Sequence, residues 1–465
     1  MINKVVTAWT LTVFMGILYV LYRDRLSLEN ESALKKTIYW LCSGYLIPLF
    51  LIYADKDGNP VNLFMLMLFC PAVWVCMEIF KKFNYRGSLN LFILAALFSA
   101  ISILVLFRLH LFLDRGILVR VTGSEKILIA VSQLIFILTS MMGTAFLMAS
   151  GIISRFITII EEKTDTFFWG IGSLSILGTL FIVAKVSGAR SPSLLAGSLQ
   201  PTELIYKFFF ILFLAKYLSR KSIAIGLSSY PMRDKIKEVL LLFLLTCMFF
   251  LIPMLTEMGT TLLLFLVFLV MISLLSRQWY ILPLGIISVV IAVFGAALFI
   301  SRIKERVFNA WIGWDQHLKG AGMQPFKAYS ALHGSDIFGV GIGRGYPYLP
   351  KASSDYVLVG IGEEWGIVGM VIVIAGFIFL LKDAYLSRDF KPDFGGILLL
   401  GLPLTIVIQA FFAINGNLGL FVMSGVPLPF ISQGGTVCIT SFLTIGTMMV
   451  LLNDLPQKNE VQKHA

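Results

Sequence analysis

Long apolar runs without charged residues recur through the whole chain, and they constrain the fold more than any other feature. Only 14% of the 465 residues are charged and the mean hydropathy is +0.88, whereas soluble globular domains carry about 25% charged residues. A run of roughly 17–25 apolar residues can cross a bilayer as a helix. The sequence therefore predicts an all-α polytopic membrane protein with about 12–13 transmembrane helices. The candidate spans are 5–22, 37–53, 61–80, 89–113, 126–150, 167–186, 203–218, 239–252, 258–275, 279–301, 356–381, 395–415 and 430–452.

The basic residues follow the predicted connections between these spans. The net charge is +11, and one alternating set of connections carries 20 lysine and arginine residues while the opposite short segments carry six. Lysine and arginine in short loops stay on the cytoplasmic side. The richer set, which includes 382–394 and the tail from 453, is therefore predicted to be cytoplasmic. The basic excess is a topology signal, so we expect no nucleic-acid partner and a multi-pass protein of the cell (cytoplasmic) membrane.

The connection 302–354 is the one long loop, and the predicted topology places it on the extracytoplasmic side. It contains seven lysine and arginine residues and several aromatic ones, including Trp311 and Trp314. Long loops in compact proteins are usually functional or disordered. A basic loop with aromatic side chains suits a lipid-linked anion or a sugar. A folded cap with a solvated surface is the alternative.

Polar residues and helix breakers from separate segments are predicted to meet at the same outer face. Irregular backbone at membrane depth is tolerated only where it lines a cavity or is buried in protein, so the sequence indicates one outward-facing polar cavity. The segments are Gln200–Glu203 with Lys207 in the following span, Glu257–Gly259, Asn415–Asn417 and Gly425–Gly435.

Two smaller patterns near this face allow more than one interpretation. Glu203 and Lys207 are four residues apart and so share a helix face, where a structural ion pair and a functional role are both compatible with the pattern. The glycine run 339–345 lacks the GxGxxG spacing of a phosphate-binding loop. It favours a close-approach segment, with a phosphate contact by Arg344 left open. Asp355, Glu363 and Glu364 stand at the mouth of the uncharged run 367–381.

Four motifs in order resemble the SEDS family (shape, elongation, division and sporulation), the FtsW, RodA and SpoVE group. "GARSPSLLAGSLQPTELIYKFFFILFLAKYL" (188–218) resembles the family's Gln-Pro-Ser-Glu region with its following lysine. "LTEMGTTLLL" resembles its Pro-Asp-Leu-Gly-Thr segment. "LPKASSDYVLVGIGEEWGIVG" (349–369) and "SGVPLPFISQGGT" (424–436) resemble its two C-terminal motifs.

The resemblance implies a peptidoglycan glycosyltransferase that polymerises lipid II at the outer face of the cytoplasmic membrane. It also implies a class B penicillin-binding protein and other divisome or elongasome membrane proteins as partners. Division, elongation and sporulation all remain open as the setting. The chain departs from the family pattern in that Ser191 follows Arg190, Glu257 replaces an aspartate and Gln433 replaces an aromatic residue. About three extra spans precede the core, so the first 90 or so residues have no assigned role.

The resemblance places the family's essential aspartate at Asp355, which we interpret as the general base of glycosyl transfer. A base must lie near the acceptor hydroxyl, and positioned charges must stabilise the departing diphosphate. A divalent cation, Mg²⁺ or Mn²⁺, accompanying the diphosphate is left open, and no cofactor is predicted with certainty. The candidate substrate-binding residues are Gln200, Glu203, Lys207, Gln324, Arg344, Lys351 and Ser432, and the candidate supporting residues are Glu257, Glu363 and Glu364.

Two other functions stay open on the sequence alone. A flippase or transporter of a lipid-linked precursor would also need a polar intramembrane cavity. A non-catalytic scaffold for a cell-wall synthase would fit if Asp355 were only an ion-pair residue. The predicted organisation comprises N-terminal transmembrane helices (1–165), core helices with the QPTELIYK motif (166–301), the large extracytoplasmic loop (302–354), C-terminal core helices (355–452) and a cytoplasmic tail (453–465).

Overall fold

The computed structural model describes residues 2–24, 26–56, 60–113, 129–163, 201–220, 258–276, 278–299, 323–345, 353–386, 393–421 and 425–463. Within these ranges the chain is built from helices, and no strand occurs in them. The helices are α1 (Ile2–Arg23), α2 (Glu31–Lys56), α3 (Pro60–Met67), α4 (Phe69–Lys82), α5 (Asn90–Leu113), α6 (Ile129–Ala149), α7 (Ile152–Lys163), α8 (Pro201–Arg220), α9 (Met258–Ser276), α10 (Ile281–Phe299), α11 (Met323–His333), α12 (Val357–Leu386), α13 (Phe394–Asn417) and α14 (Gly435–Lys463).

The predicted fold class is confirmed: this is an all-α polytopic membrane protein. In the described part of the chain, 9 helices are long and apolar enough to cross a membrane. A helix pairs its backbone N–H and C=O groups internally, as it must in the bilayer core because lipid tails offer no hydrogen-bonding partners. The predicted spans fall on helices wherever the structure describes them. Two predicted spans, 167–186 and 239–252, lie outside the described residues.

Two predicted spans differ from the helices in their bounds. The span 61–80 is split into α3 and α4 at Leu68. Pro71 follows shortly after, and proline has no amide hydrogen to donate to the carbonyl of a preceding turn. The last span begins at Gly435 and not at 430, because the preceding Pro-rich and Gly-rich segment forms turns. α14 then continues to Lys463, beyond the expected end at 452.

The centre of the bundle is α5, whose residues 90–107 are buried throughout. It packs against α2, α6, α12 and α14, while α13 packs against α8, α9, α12 and α14. The N-terminal helices join the same bundle: α1 packs on α12, α2 on α5 and α4 on α6. α11, from the long loop, packs on α12. The first four helices are therefore part of the body that carries the candidate site.

Candidate functional site

The turn that carries Asp355 is fixed by other segments of the chain. Asp355 is half-buried and lies two residues before α12 begins. The turn's backbone carbonyls each accept a hydrogen bond of 2.7 Å: Ser353 from the Gln433 amide, Ser354 from the Ser432 hydroxyl and Asp355 from the side-chain amide of Asn417. Asn417 ends α13, and its side-chain Oδ1 also accepts from the Val359 amide at 3.4 Å. The carboxylate therefore projects from a backbone held on both sides.

Ser432 belongs to segment 425–434, which precedes α14 and supplies two of those three donors. The side chain is 1% exposed, and its hydroxyl donates to Ser354 and accepts from the Leu428 amide at 2.9 Å. The Ser432 hydroxyl thus joins segment 425–434 to the Asp355 turn, and its partner Ser354 lies 78 residues away in sequence.

Phe430 holds segment 425–434 in an unusual backbone conformation. Its φ is +63°, which costs a bulky L-residue of the order of 1–3 kcal/mol. The ring is 1% exposed and packs on Phe98 and Phe442, with centroids 5.9 and 5.5 Å away. Burial of the ring offsets the backbone cost and fixes the turn that presents Ser432.

Two residues that the sequence analysis missed brace the same segment from α5 and α6. Gln133 is fully buried, donates to the Ser432 carbonyl at 3.3 Å and accepts from the Gly434 amide at 3.1 Å. Ser102 donates to the Ile431 carbonyl at 2.8 Å. A single amide in the apolar run of α6 was the available signal, because a buried polar side chain needs a partner.

Lys207 reaches the other end of this segment. It is 7% exposed, and Nζ donates to Oε1 of Gln409 at 3.0 Å. Gln409, also missed from sequence, donates in turn to the Pro427 carbonyl at 2.8 Å. Segment 425–434 is therefore linked both to the Asp355 turn and to the buried lysine.

Residues 339–345, which we call the glycine segment, lie against a kink in α12. The kink is at Gly366, whose φ and ψ are 69° and −166°. The amides of Val340 and Gly341 donate to the carbonyls of Glu363 and Glu364 at 2.9 and 3.0 Å. A Cβ atom on Gly366 would lie 2.0 Å from the Ile337 carbonyl oxygen, so the two backbones meet only because glycine is there.

Glu363 and Glu364 are buried by this contact, at 5% and 1% exposure. The Glu364 carboxylate accepts from the Gly345 amide at 3.1 Å. Arg344, in contrast, is exposed, although its neighbours from Gly341 to Gly345 are buried. The segment therefore presents one arginine from an otherwise buried backbone.

α11 brings an aromatic residue of the long loop to the end of α13. Tyr329 lies against Gly419, where a Cβ atom would be 2.6 Å from the tyrosine oxygen. Gly419 has a φ of +73°, which glycine adopts without strain. Burial raises the pKa of Tyr329. The described part of the loop thus packs beside the Asp355 turn.

The structure describes some of the candidate residues and not others. Asp355, Ser432 and Lys207 are linked through segment 425–434, and Glu363, Glu364 and Arg344 meet at the glycine segment. No group of three His, Cys, Asp or Glu side chains that could hold a metal ion occurs in the described part of the chain. Gln200, Glu257 and Lys351 lie outside the described residues, as do the side chains of Glu203 and Gln324.

A family model described as cell cycle protein, FtsW/RodA/SpoVE, matches residues 88–455. A probable peptidoglycan glycosyltransferase FtsW of Bacillus subtilis (strain 168) is 36% identical over 143 residues, which cover 30% of this chain and 34% of that protein. The corresponding protein of Hydrogenovibrio crunogenus is 27% identical over 337 residues, which cover 69% of this chain and 83% of that protein. The chain thus spans about a third of the first relative and most of the second.

Solved structures show the same fold. A structure described as the structural coordination of polymerization and crosslinking by a peptidoglycan synthase complex matches with a TM-score of 0.56 at 18% identity, covering 79% of this chain and 98% of that one. The crystal structure of the Thermus thermophilus rod shape determining protein RodA matches with a TM-score of 0.51 at 17% identity, covering 79% and 97%. Both matches cover almost the whole of the solved chain and leave a fifth of this one unmatched.

Proposed function

This chain belongs to the FtsW/RodA/SpoVE family, and on that premise we propose that it is a peptidoglycan glycosyltransferase that polymerises lipid II. The curated relatives are named as peptidoglycan glycosyltransferases. The observation that carries the proposal within this chain is the Asp355 turn. Its carbonyls at residues 353, 354 and 355 are each held by a separate donor. Such bracing is what a reaction needs from a group that must be positioned before the substrate arrives.

In this proposal Asp355 is the general base. It accepts the proton of the acceptor sugar hydroxyl while the hydroxyl oxygen forms a bond to the anomeric carbon of the donor. The bond from that carbon to the lipid diphosphate breaks, and its electron pair leaves with the diphosphate. The proton therefore goes to the Asp355 carboxylate, and the negative charge goes to the leaving group. General-base transfer of this kind contributes typically about 10²–10⁴-fold to a rate.

The leaving diphosphate needs positive charge close by. Arg344 is the described cation best placed to meet a ligand, because its side chain is exposed on a buried segment. Lys351, next to the Asp355 turn in sequence, is a second candidate. Lys207 is buried and bound to Gln409, so we assign it, together with Ser432, to positioning segment 425–434. Glu363 and Glu364 are assigned to holding the glycine segment.

We place the site at the extracytoplasmic face and the C-terminus in the cytoplasm, on the basis of the charge bias of the short loops. The partner we propose is a class B penicillin-binding protein, which would cross-link the strands that this chain polymerises. The fold match to a peptidoglycan synthase complex supports that assignment.

The direct test is polymerisation by the purified protein. Full-length protein in detergent is incubated with lipid II, and the products are separated on a gel that resolves glycan strands. We expect polymer that grows with time and disappears after muramidase digestion. A well-folded preparation that makes no polymer, but moves lipid II between the leaflets of vesicles, would replace the polymerase proposal with a flippase.

A further inference from the structure

The N-terminal helix α1 holds the glycine segment through both backbone groups of one residue. The side-chain amide of Asn3 donates to the Ile342 carbonyl at 3.0 Å, and the Ile342 amide donates to the Thr7 hydroxyl at 2.9 Å. Thr7 in turn donates to the Asn3 carbonyl at 2.6 Å. Asn3, Thr7 and Ile342 are all buried, with exposed fractions of 6%, 0% and 1%. Buried backbone groups need partners, and here α1 supplies both.

The opposite side of the glycine segment is bound to α12. The amides of Val340, Gly341 and Gly345 donate to residues 363 and 364 of the kinked helix. α12 lies within residues 88–455, which the family model matches, whereas α1 ends at Arg23. The glycine segment is thus held between a helix of the matched family core and one outside it. The aromatic contact between Phe14 and Trp365, with centroids 5.9 Å apart, extends the same contact between α1 and α12.

What this double attachment presents to solvent is a single charged side chain. From Gly341 to Gly345 only Arg344 is exposed, and its amide closes a turn with the Gly341 carbonyl at 3.1 Å. No ion pair to Arg344 occurs within the described ranges. A guanidinium on a fixed backbone loses less conformational entropy on binding a phosphate than one on a free loop.

We propose that Asn3 and Thr7 are positioning residues that hold the glycine segment so that Arg344 can bind the lipid-linked diphosphate. This inference rests on the proposed function for the identity of the substrate. It assigns a role to α1, which the family core does not contain. The ion pair between Lys4 and Asp336 is not part of the device, because both side chains are largely exposed and such pairs contribute little.

The test compares Thr7→Val with Thr12→Val. Both changes remove a hydroxyl from α1, but the Thr12 hydroxyl is exposed and, among the described residues, bonds only to the Ala8 carbonyl of its own helix. Thr7→Ser keeps the hydroxyl and serves as the rescue. Amide hydrogen exchange is followed in peptides covering 339–345, with and without lipid II, and polymerisation is measured as a function of lipid II concentration.

Thr7→Val leaves the Ile342 amide buried without its acceptor, so we expect exchange in 339–345 to accelerate about tenfold or more. Added lipid II should slow exchange there in the wild type, and less in this variant. kcat/KM for lipid II per folded molecule should fall at least about threefold, as expected when a group that binds the diphosphate in the transition state is displaced. Thr12→Val and Thr7→Ser should match the wild type in every readout.

Unchanged exchange in Thr7→Val would show that α1 does not hold the segment. Faster exchange with an unchanged kcat/KM and unchanged lipid II protection would show that the attachment is structural only. Either result overturns the inference. If the wild type makes no polymer while lipid II still protects 339–345 in a Thr7-dependent way, the polymerase proposal fails and the positioning role stands.

Discussion

Replacing Gly366 by alanine tests the kink on which the glycine segment rests. Its φ of 69° and ψ of −166° lie in a region occupied almost only by glycine, where another residue costs about 1–3 kcal/mol. The new Cβ would also lie 2.0 Å from the Ile337 carbonyl oxygen and 2.5 Å from the Gly339 amide nitrogen. The segment must therefore move and lose its two backbone bonds to α12, each worth about 0.5–1.5 kcal/mol. Together these terms give about 2–6 kcal/mol of destabilisation.

The assay is the fraction of monodisperse protein left after stepwise heating in detergent, combined with lipid II polymerisation at low temperature. Gly143→Ala is the matched control, since no atom of the described part of the chain lies within 4 Å of a Cβ there and alanine favours a helix. Gly425→Ala separates strain from collision, because φ is +71° but no atom of the described residues lies within 4 Å of a Cβ there, so it should lose only about 1–3 kcal/mol. Gly366→Ala protein with wild-type stability and activity would refute the proposed packing of the segment on the kink.

Ser432→Ala should lower stability by about 1–3 kcal/mol and reduce polymerisation, because the Leu428 amide and the Ser354 carbonyl lose their partner. Thermal unfolding and polymerisation rates are measured, and a fully active variant would contradict the bracing role. The losses of stability from Lys207→Met and Gln409→Leu should be non-additive by at least about 0.5 kcal/mol in a double-mutant cycle, because the two side chains are hydrogen-bonded. Strictly additive losses would mean that the side chains do not meet. Asp336→Cys, in a background without native cysteines, should react with a membrane-impermeant maleimide in intact cells, and Ser387→Cys only after lysis. The reverse pattern would invert the topology.

The helices could be predicted from sequence because hydropathy directly reports the lipid environment. Every predicted span that the structure describes falls on a helix. The errors are the break at Leu68 within the span 61–80 and the ends of spans, as at 430–434, where a segment that carries proline and glycine builds turns inside an apolar stretch. Family membership was also predicted, from motifs at 188–218, 349–369 and 424–436, and it is confirmed by the match over 88–455.

The partners within the site could not be predicted in the same way. Asp355 was found through its motif, but its turn is held by hydrogen bonds from Ser432 to Ser354 and from Asn417 to Asp355. These join residues more than 60 positions apart, and no periodicity encodes such a pairing. Gln133 and Gln409 gave only the signal of an amide in an apolar run, without its direction. The contact between Asn3 and Ile342, 339 positions apart, depends on how α1 packs on α12, which hydropathy does not specify.

The role of Asp355 as general base is tested most directly by Asp355→Asn, which keeps the size of the side chain and removes its ability to accept a proton. Asp336→Asn is the control, since it removes an exposed carboxylate from the loop that precedes Asp355. Both proteins are purified alongside the wild type, shown to be equally stable, and given lipid II under identical conditions. We expect Asp336→Asn to polymerise normally and Asp355→Asn to lose activity by about 10²-fold or more. Glycan strands made by Asp355→Asn at near the wild-type rate would contradict the general-base assignment.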